Sequence, residues 1–505
     1  MQFTLVPQLD GAGRLRVRIL DSRLTDAGGS TPALGLIWDL SKRHVHPRLQ
    51  QFSYDIGAVR AALLDVVRSV APPGRSAELE LVLAQLQLLA PRVEATGIVV
   101  PVAIEIPDAW LAAPPPAGSP APLSEAELEA LDRALQPWDA FLAYSIKQLA
   151  LDSEDRTLRK RLFTLLLAGR YQLSAILSGE APATGDPVRE LFIDAWNELR
   201  TILADAQRDG ALDASPLRYA VFLEAGDALL ALDRAAPGLG MRLSADSLRQ
   251  LARSLRPGAT GDPLAYALAV DPELRHLFDV EEILEPAPPG RSWLDLFITS
   301  AYAASGPREA PPLDRWLPRR DELPAYEARI HDLLQKTSAT ELRRARLAPP
   351  DDGIYRNLVP ATALIESCWR QYVARGGKVT YLRSAAASVG IMQINQRVWR
   401  GFYEIERLRW DTTYNTRAGA QILMRYLKDY AIPYAERSGD LGHVPRAAYA
   451  VYNGGPRAVG RFDKAQPHPR EARVDERLRT LYQGIASGGR VDLRNCDVTI
   501  AAASQ

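Results

Sequence analysis

The sequence predicts a mainly α protein, α+β overall, with a small amino-terminal α/β module, a central helical domain and a helical carboxy-terminal domain. Three observations predict this. Apolar residues recur at spacings of three and four over most of the chain after Ser124, whereas apolar–polar alternation is concentrated before residue 113. Proline- and glycine-rich strings fall between the periodic segments. With 505 residues the chain exceeds the ~250 to 300 at which single cores stop growing, so two or three domains are expected.

Residues 1–113 form the α/β module. QFTLVPQL and RLRVRIL alternate around Asp10-Gly11-Ala12-Gly13, the pattern of a β-hairpin. A helix is expected near Ile56 to Val70, another over Ser76 to Leu89, and a strand at GIVVPVAIEI. Residues 114–123, which include most of the string AAPPPAGSPAP (Ala112 to Pro122), make an extended Pro-rich linker. Ser124-Glu125-Ala126-Glu127 then opens the helical domain of 124–318 with a capping-box pattern. Its segments LRKRLFTLLLAGRYQLSAIL, VRELFIDAWNELRTILADA and LRYAVFLEAGDALLALDRA are helical, broken near Ala181 to Pro187, Pro257 to Pro263 and Pro286 to Gly290. Trp138, Trp196 and Trp293 sit among leucines and read as core rather than as sugar platforms. Prolines from Pro307 to Pro324 precede a last domain of 319–505.

Hydrophobic content of 47% and charged content of 24% suit a globular protein, and no run of about 18 apolar residues could span a membrane. The start of the chain lacks the features of a secretory signal. The formal charge of zero conceals an asymmetry: Tyr355 to Gln505 holds 23 Lys plus Arg against 13 Asp plus Glu. A basic half suits an anionic polymer, such as nucleic acid, a lipid surface or wall glycan bearing peptide carboxylates; it also suits attraction between the two halves. Cys368 and Cys496 have no histidine at ligand spacing, which argues against a metal site. Two buried thiols are the default for this pair, and a disulfide would require an oxidising compartment. Phosphate-loop, G-x-S-x-G and H-E-x-x-H motifs are absent, and no cofactor is expected.

The informative strings lie between Ala361 and Pro456. Glu366, in ATALIESCWRQYV, is a lone carboxylate in an apolar run, where desolvation would raise its pKa toward that of a general acid. Taken alone, such a glutamate more often occupies the exposed stripe of an amphipathic helix. SAAASVGIMQIN, from Ser384 to Asn395, joins small residues that allow close approach to an amide at Gln393 able to bond sugar hydroxyls or N-acetyl groups. Its plainer reading is a packed turn with Met392 as core. YNTRAGAQIL opens a helix running to about Tyr430, and AYAVYNGGP ends a short helix with Tyr452 and Asn453 at its edge.

In order, these four strings resemble the soluble lytic transglycosylase (SLT) domain of the goose-type lysozyme-like superfamily, over roughly Tyr355 to Gly484. The resemblance implies a lysozyme-like helical fold and peptidoglycan glycan strands as substrate, with no nucleic acid. It places the catalytic acid/base on Glu366 and the glycan cleft on Ser384, Gly390, Met392, Gln393, Tyr452 and Asn453. It implies cleavage of the MurNAc-GlcNAc bond with a 1,6-anhydro product, and a site in the periplasm or cell envelope. Two departures stand out. The segment between Glu366 and Ser384 is longer than is usual, inserting something like QYVARGGKVTYLR, expected as a loop on the cleft rim. Ala387-Ser388 stands where Gly-Ala is common.

Ordinary glycosidases need two carboxylates. Glu404, Glu406 and Asp411 are the candidates for a second, but each lies beside Arg or Trp, where structural pairing is the stronger reading. The alternatives to a transglycosylase are a hydrolysing muramidase using one of these acids and a non-catalytic peptidoglycan-binding scaffold. A protein partner held through the helical amino-terminal half is the companion expectation.

Overall fold

The computed structural model describes residues 2–23, 43–94, 97–112, 125–180, 186–212, 219–283, 312–347 and 349–495. The protein is mainly helical, with few and small strands. It divides into two compact units that interleave along the chain. One comprises Met1–Ala121, Arg133–Ser153 and Thr184–Ala265; the other comprises Pro122–Asp132, Glu154–Ala183 and Tyr266–Gln505.

In the first unit, β1 (Gln2–Leu9), β2 (Arg14–Arg23) and β3 (Ser53–Asp55) form an antiparallel sheet in that order. The expected hairpin turn is held by Asp10, whose Oδ1 accepts from the backbone N–H groups of Ala12 and Arg14, both at 2.9 Å. A helix follows at Ile56–Ser69 (α1). The next, α2 (Ser76–Ala84), stops short of the expected Leu89, because Gln87–Leu88 pairs with Val102–Ala103 as a short strand. The GIVVPVAIEI segment is likewise split in two, with Pro101 between the pieces. A proline has no N–H for the ladder, which accounts for the break.

The helical core of this unit contains part of α3 (Glu125–Leu151), together with α5 (Pro187–Arg208) and α6 (Ala220–Ala235); α4 (Arg156–Leu177) belongs to the second unit. Trp138 and Trp196 are buried, as expected of core residues, while Trp293 lies outside the described residues. Trp196 stacks on Phe192 and donates from Nε1 to Asp227 at 2.9 Å. Gly226 admits its ring, since a Cβ there would lie 1.9 Å from it.

The second unit is built on α4 and on five later helices: α7 (Leu323–Ala345), α8 (Asp351–Ser367), α9 (Thr412–Tyr426), α10 (His443–Gly454) and α11 (Pro469–Ala486). Helix α8 packs against α7, α10 and α11, which explains why its residues Leu358, Val359, Ala361 and Ala363 are fully buried. It ends abruptly after Ser367. Cys368 and Trp369 both take left-handed backbone angles (φ 52° and 57°), with their N–H groups bonded back to Leu364 and Ala363 carbonyls.

The long insertion that follows is not a loop. It folds as a β-hairpin, Tyr372–Arg375 (β4) against Lys378–Tyr381 (β5). Gly376 and Gly377 both have positive φ (54° and 74°), as a two-residue primed turn requires, and the flanking β-branched and aromatic residues supply the strands. The expectation of two free thiols also fails: Cys368 is disulfide-bonded, and Cys496 lies outside the described residues.

Candidate active site

Glu366 is the penultimate residue of α8, between Ile365 and Ser367, both buried. It keeps part of its own surface open, yet protein atoms surround the carboxyl, and this desolvation pushes its pKa up to about 7. Two weaker influences favour the ionised form: the Tyr449 hydroxyl donates to Oε1 at 2.9 Å, and the Arg461 guanidinium attracts the charge. Among the described residues, no carboxylate is a cause of the shift. Burial and the Glu366 charge hold the Tyr449 phenol well above its ordinary range, so it stays protonated and donates.

Helix α10 supplies this donor. Tyr449 and Tyr452 are three residues apart and therefore share a face. Tyr449 reaches Glu366, and the Tyr452 hydroxyl donates to the Met392 carbonyl at 2.6 Å. Gly455 ends the helix, and a Cβ there would lie 2.6 Å from the Tyr171 ring. The exposed Asn453 accepts from Arg461 at 2.8 Å, while Arg461 is itself buried in a bidentate pair with Asp475.

The Ser384–Asn395 string forms the wall beside Glu366. It is tied to the end of α8 by the Ser367 hydroxyl, which donates to the Ile391 carbonyl at 2.6 Å. Gly390 has φ 77°, and a Cβ on it would lie 2.3 Å from Asn415 Nδ2 and 2.5 Å from Gln371 Oε1. Those two amides hold the turn: Asn415 accepts from Met392 N–H and donates to the Val389 carbonyl, and Gln371 accepts from Ile391 N–H. Met392 is fully buried against Gly419 of α9, where a Cβ would come within 2.5 Å of it. Gln393, at φ 45°, folds its amide back to the Gly390 carbonyl. The Ser384 hydroxyl accepts from Ser388 N–H. Ser384, Gly390 and Met392 thus shape the turn, and Tyr452 braces it.

Four non-glycine residues have positive φ here, Cys368 and Trp369 just after α8 and Ala387 and Gln393 in the wall. Each costs of order 1 kcal/mol or more, a concentration that accompanies a constrained functional surface. The three acids weighed as second carboxylates are accounted for otherwise. Glu406 is paired with Arg409, Asp411 with Arg407 while capping α9, and Glu404 is the exposed residue preceding a short helix.

Sequence reasoning missed the roles of Tyr449, Asn415 and Gln371, and although it expected the helix α4 it missed what that helix holds. From that helix the buried Arg170 donates to the carbonyls of Val398 and Arg400, at 3.1 and 2.9 Å. Tyr171 donates to the Tyr452 carbonyl at 2.9 Å, and Ser174 Oγ accepts from Asn395 Nδ2 at 2.7 Å. Tyr449 could have been found from its spacing to Tyr452; the α4 residues carry no local signal.

Residues 349–473 match the family model of the transglycosylase SLT domain. The C-terminal part of the chain carries an SLT domain. Comparison with curated proteins and with solved structures finds no match to the chain. The matched SLT segment contains Glu366, the Gly390 turn, α9 and α10; α4, which braces the SLT site, lies outside it. An SLT domain points to a lysozyme-like action on peptidoglycan. Among the described residues, no cluster of His, Cys, Asp and Glu could hold a metal, and no helix is long and apolar enough to cross a membrane.

Proposed function

We propose that the protein is a peptidoglycan lytic transglycosylase of the cell envelope, with Glu366 as its single general acid and base. The observation that carries this reading is a desolvated carboxyl with a pKa raised to about 7 and, among the described residues, no second carboxylate acting on it. A raised pKa keeps the carboxyl protonated nearer neutral pH, as a residue that opens its cycle by donating a proton requires; the donation itself creates the carboxylate that later takes a proton back.

In this mechanism protonated Glu366 gives its proton to the glycosidic oxygen between N-acetylmuramic acid and N-acetylglucosamine, and the bond breaks. The N-acetyl group of the muramic sugar stabilises the cation. Glu366, now a carboxylate, takes the proton of that sugar's 6-hydroxyl, whose oxygen closes a 1,6-anhydro ring on C1. The proton count returns to its start and no water is consumed. Tyr449 fixes Oε1, leaving Oε2 as the oxygen that carries the proton. Ser384, Gly390, Met392, Gln393, Tyr452 and Asn453 form or support the cleft that holds the glycan against it. A two-carboxylate hydrolase would instead need an acid at a fixed separation of about 5 to 9.5 Å, which would make itself felt on the Glu366 pKa.

Digesting purified sacculi in ¹⁸O-labelled water tests the reaction type. Transglycosylation yields unlabelled anhydro ends. Reducing ends carrying one ¹⁸O would establish hydrolysis, and intact sacculi would establish a binding scaffold.

A further inference from the structure

The hairpin β4–β5 lies in a stretch of the SLT region that carries cations and no acids. From Ser367 to Tyr403 the chain contains six Arg and Lys residues and no Asp or Glu. Three of the six are engaged internally: Arg370 with the Ser367 carbonyl, Arg397 with Asp132, and Arg400 with the Ala267 carbonyl. The other three, Arg375, Lys378 and Arg383, are exposed and pair with no carboxylate among the described residues.

Their placement is specific. Arg375 and Lys378 are directly opposed across the primed turn, so their side chains leave the same face of the hairpin. Like charges in that position repel, and no acid among the described residues pairs with them. The other face is occupied. Tyr372 and Tyr381 both pack on Trp410, the Tyr372 hydroxyl donates to the Trp410 carbonyl at 2.6 Å, and the Arg409 guanidinium lies 5.4 Å from the Tyr381 ring centre. The hairpin is thus an arm with one face anchored at its base and two cations displayed on the other.

Its base is the site itself. Leu382 N–H bonds the Gln371 carbonyl, Gly390 N–H bonds the Leu382 carbonyl, and Arg383 bridges Val389. The arm therefore grows from between the Glu366 helix and the Gly390 turn. Four residues of strand reach about 13 Å from that base, the scale of a side branch of the substrate and not of the bond being cut.

We propose that the Arg375–Lys378 face of the hairpin binds carboxylates of the peptides carried by the muramic sugars, making it a specificity-determining arm for peptide-bearing glycan. This rests on peptidoglycan as the ligand of the Glu366 site. An unrelieved pair of cations gains from an external anion what it lacks internally, and the stem carboxylates are the anions the glycan brings to this wall.

The test measures binding, so it does not depend on turnover. Full-length Glu366→Gln protein, with and without Arg375→Gln plus Lys378→Gln, is titrated onto peptide-bearing glycan strands and onto strands stripped of peptide by an amidase. With the hairpin intact, peptide-bearing strands are expected to bind about tenfold more tightly, with the excess lost at high salt; in the double variant the two affinities converge. Because the substitutions remove a repulsion, the melting temperature should hold or rise. An unchanged preference for peptide-bearing strands in the double variant would overturn the proposal, as would equal affinities with the hairpin intact. Absence of anhydro products from wild-type protein would overturn the lytic reading separately and leave this comparison standing.

Discussion

The Tyr449 hydroxyl donates to Oε1 of Glu366 at 2.9 Å, joining the end of one helix to the middle of another across 83 residues of chain. The bond favours the ionised carboxylate, against the burial that favours the neutral acid. Removing it by Tyr449→Phe is expected to raise the Glu366 pKa by up to about one unit, since a hydrogen bond to a charged group is worth about 1.5 kcal/mol. The alkaline limb of the pH–rate profile should move upward while kcat falls as the carboxyl loses its orientation. A limb that stays in place would show that the bond does not act on the titrating group.

Stability should also report on Glu366. Its pKa is 4.5 in an unfolded chain and about 7 in the native protein, so the native state holds the proton more tightly. Stability therefore falls as pH rises through that window, by up to about 3 kcal/mol. Glu366→Gln removes the cost. The melting temperature of the variant relative to wild type is expected to increase between about pH 5 and about pH 8, as measured by thermal scans at matched ionic strength.

The turn beside Glu366 tolerates no added carbon at Gly390. Alanine there would place a methyl 2.3 Å from Asn415 Nδ2 on a left-handed backbone. Gly390→Ala should destabilise by about 2 to 4 kcal/mol and reduce glycan turnover. Gly353, in the first turn of α8, meets nothing within 4 Å. Gly353→Ala should instead stabilise by about 0.5 to 1 kcal/mol and leave turnover unaltered, which separates backbone strain from a general sensitivity of the helix.

Helix α4 lies outside the matched segment but holds the backbone of the site. Arg170→Ala would leave the Val398 and Arg400 carbonyls without their buried donor, at a cost of about 2 to 4 kcal/mol. A fragment starting at residue 312 lacks α4 altogether, and its turnover is expected to fall at least about tenfold below that of the full chain. Equal activity would show that the SLT segment stands alone.

What the sequence disclosed follows the range of the interactions concerned. Glu366 stood out because a carboxylate in an apolar run is a local anomaly, and the core tryptophans because their neighbours are leucines. The hairpin was present locally too, as QYVAR and KVTYL around Gly-Gly, but its four-residue strands are short enough to pass for a loop. Tyr449 and Asn415 escaped because their value depends on where a helix docks. Arg170, Tyr171 and Ser174 escaped for the same reason at longer range: an amphipathic stripe says that a helix is covered, never by what. The interleaving of the two units has no local signature either.

The most direct test of Glu366 as the sole acid and base is mass spectrometry of muropeptides released from purified sacculi by wild-type protein and by Glu366→Gln. Wild type is expected to release 1,6-anhydro-muropeptides and the variant none above background, although its fold is retained. Anhydro products formed equally by both proteins would contradict the assignment.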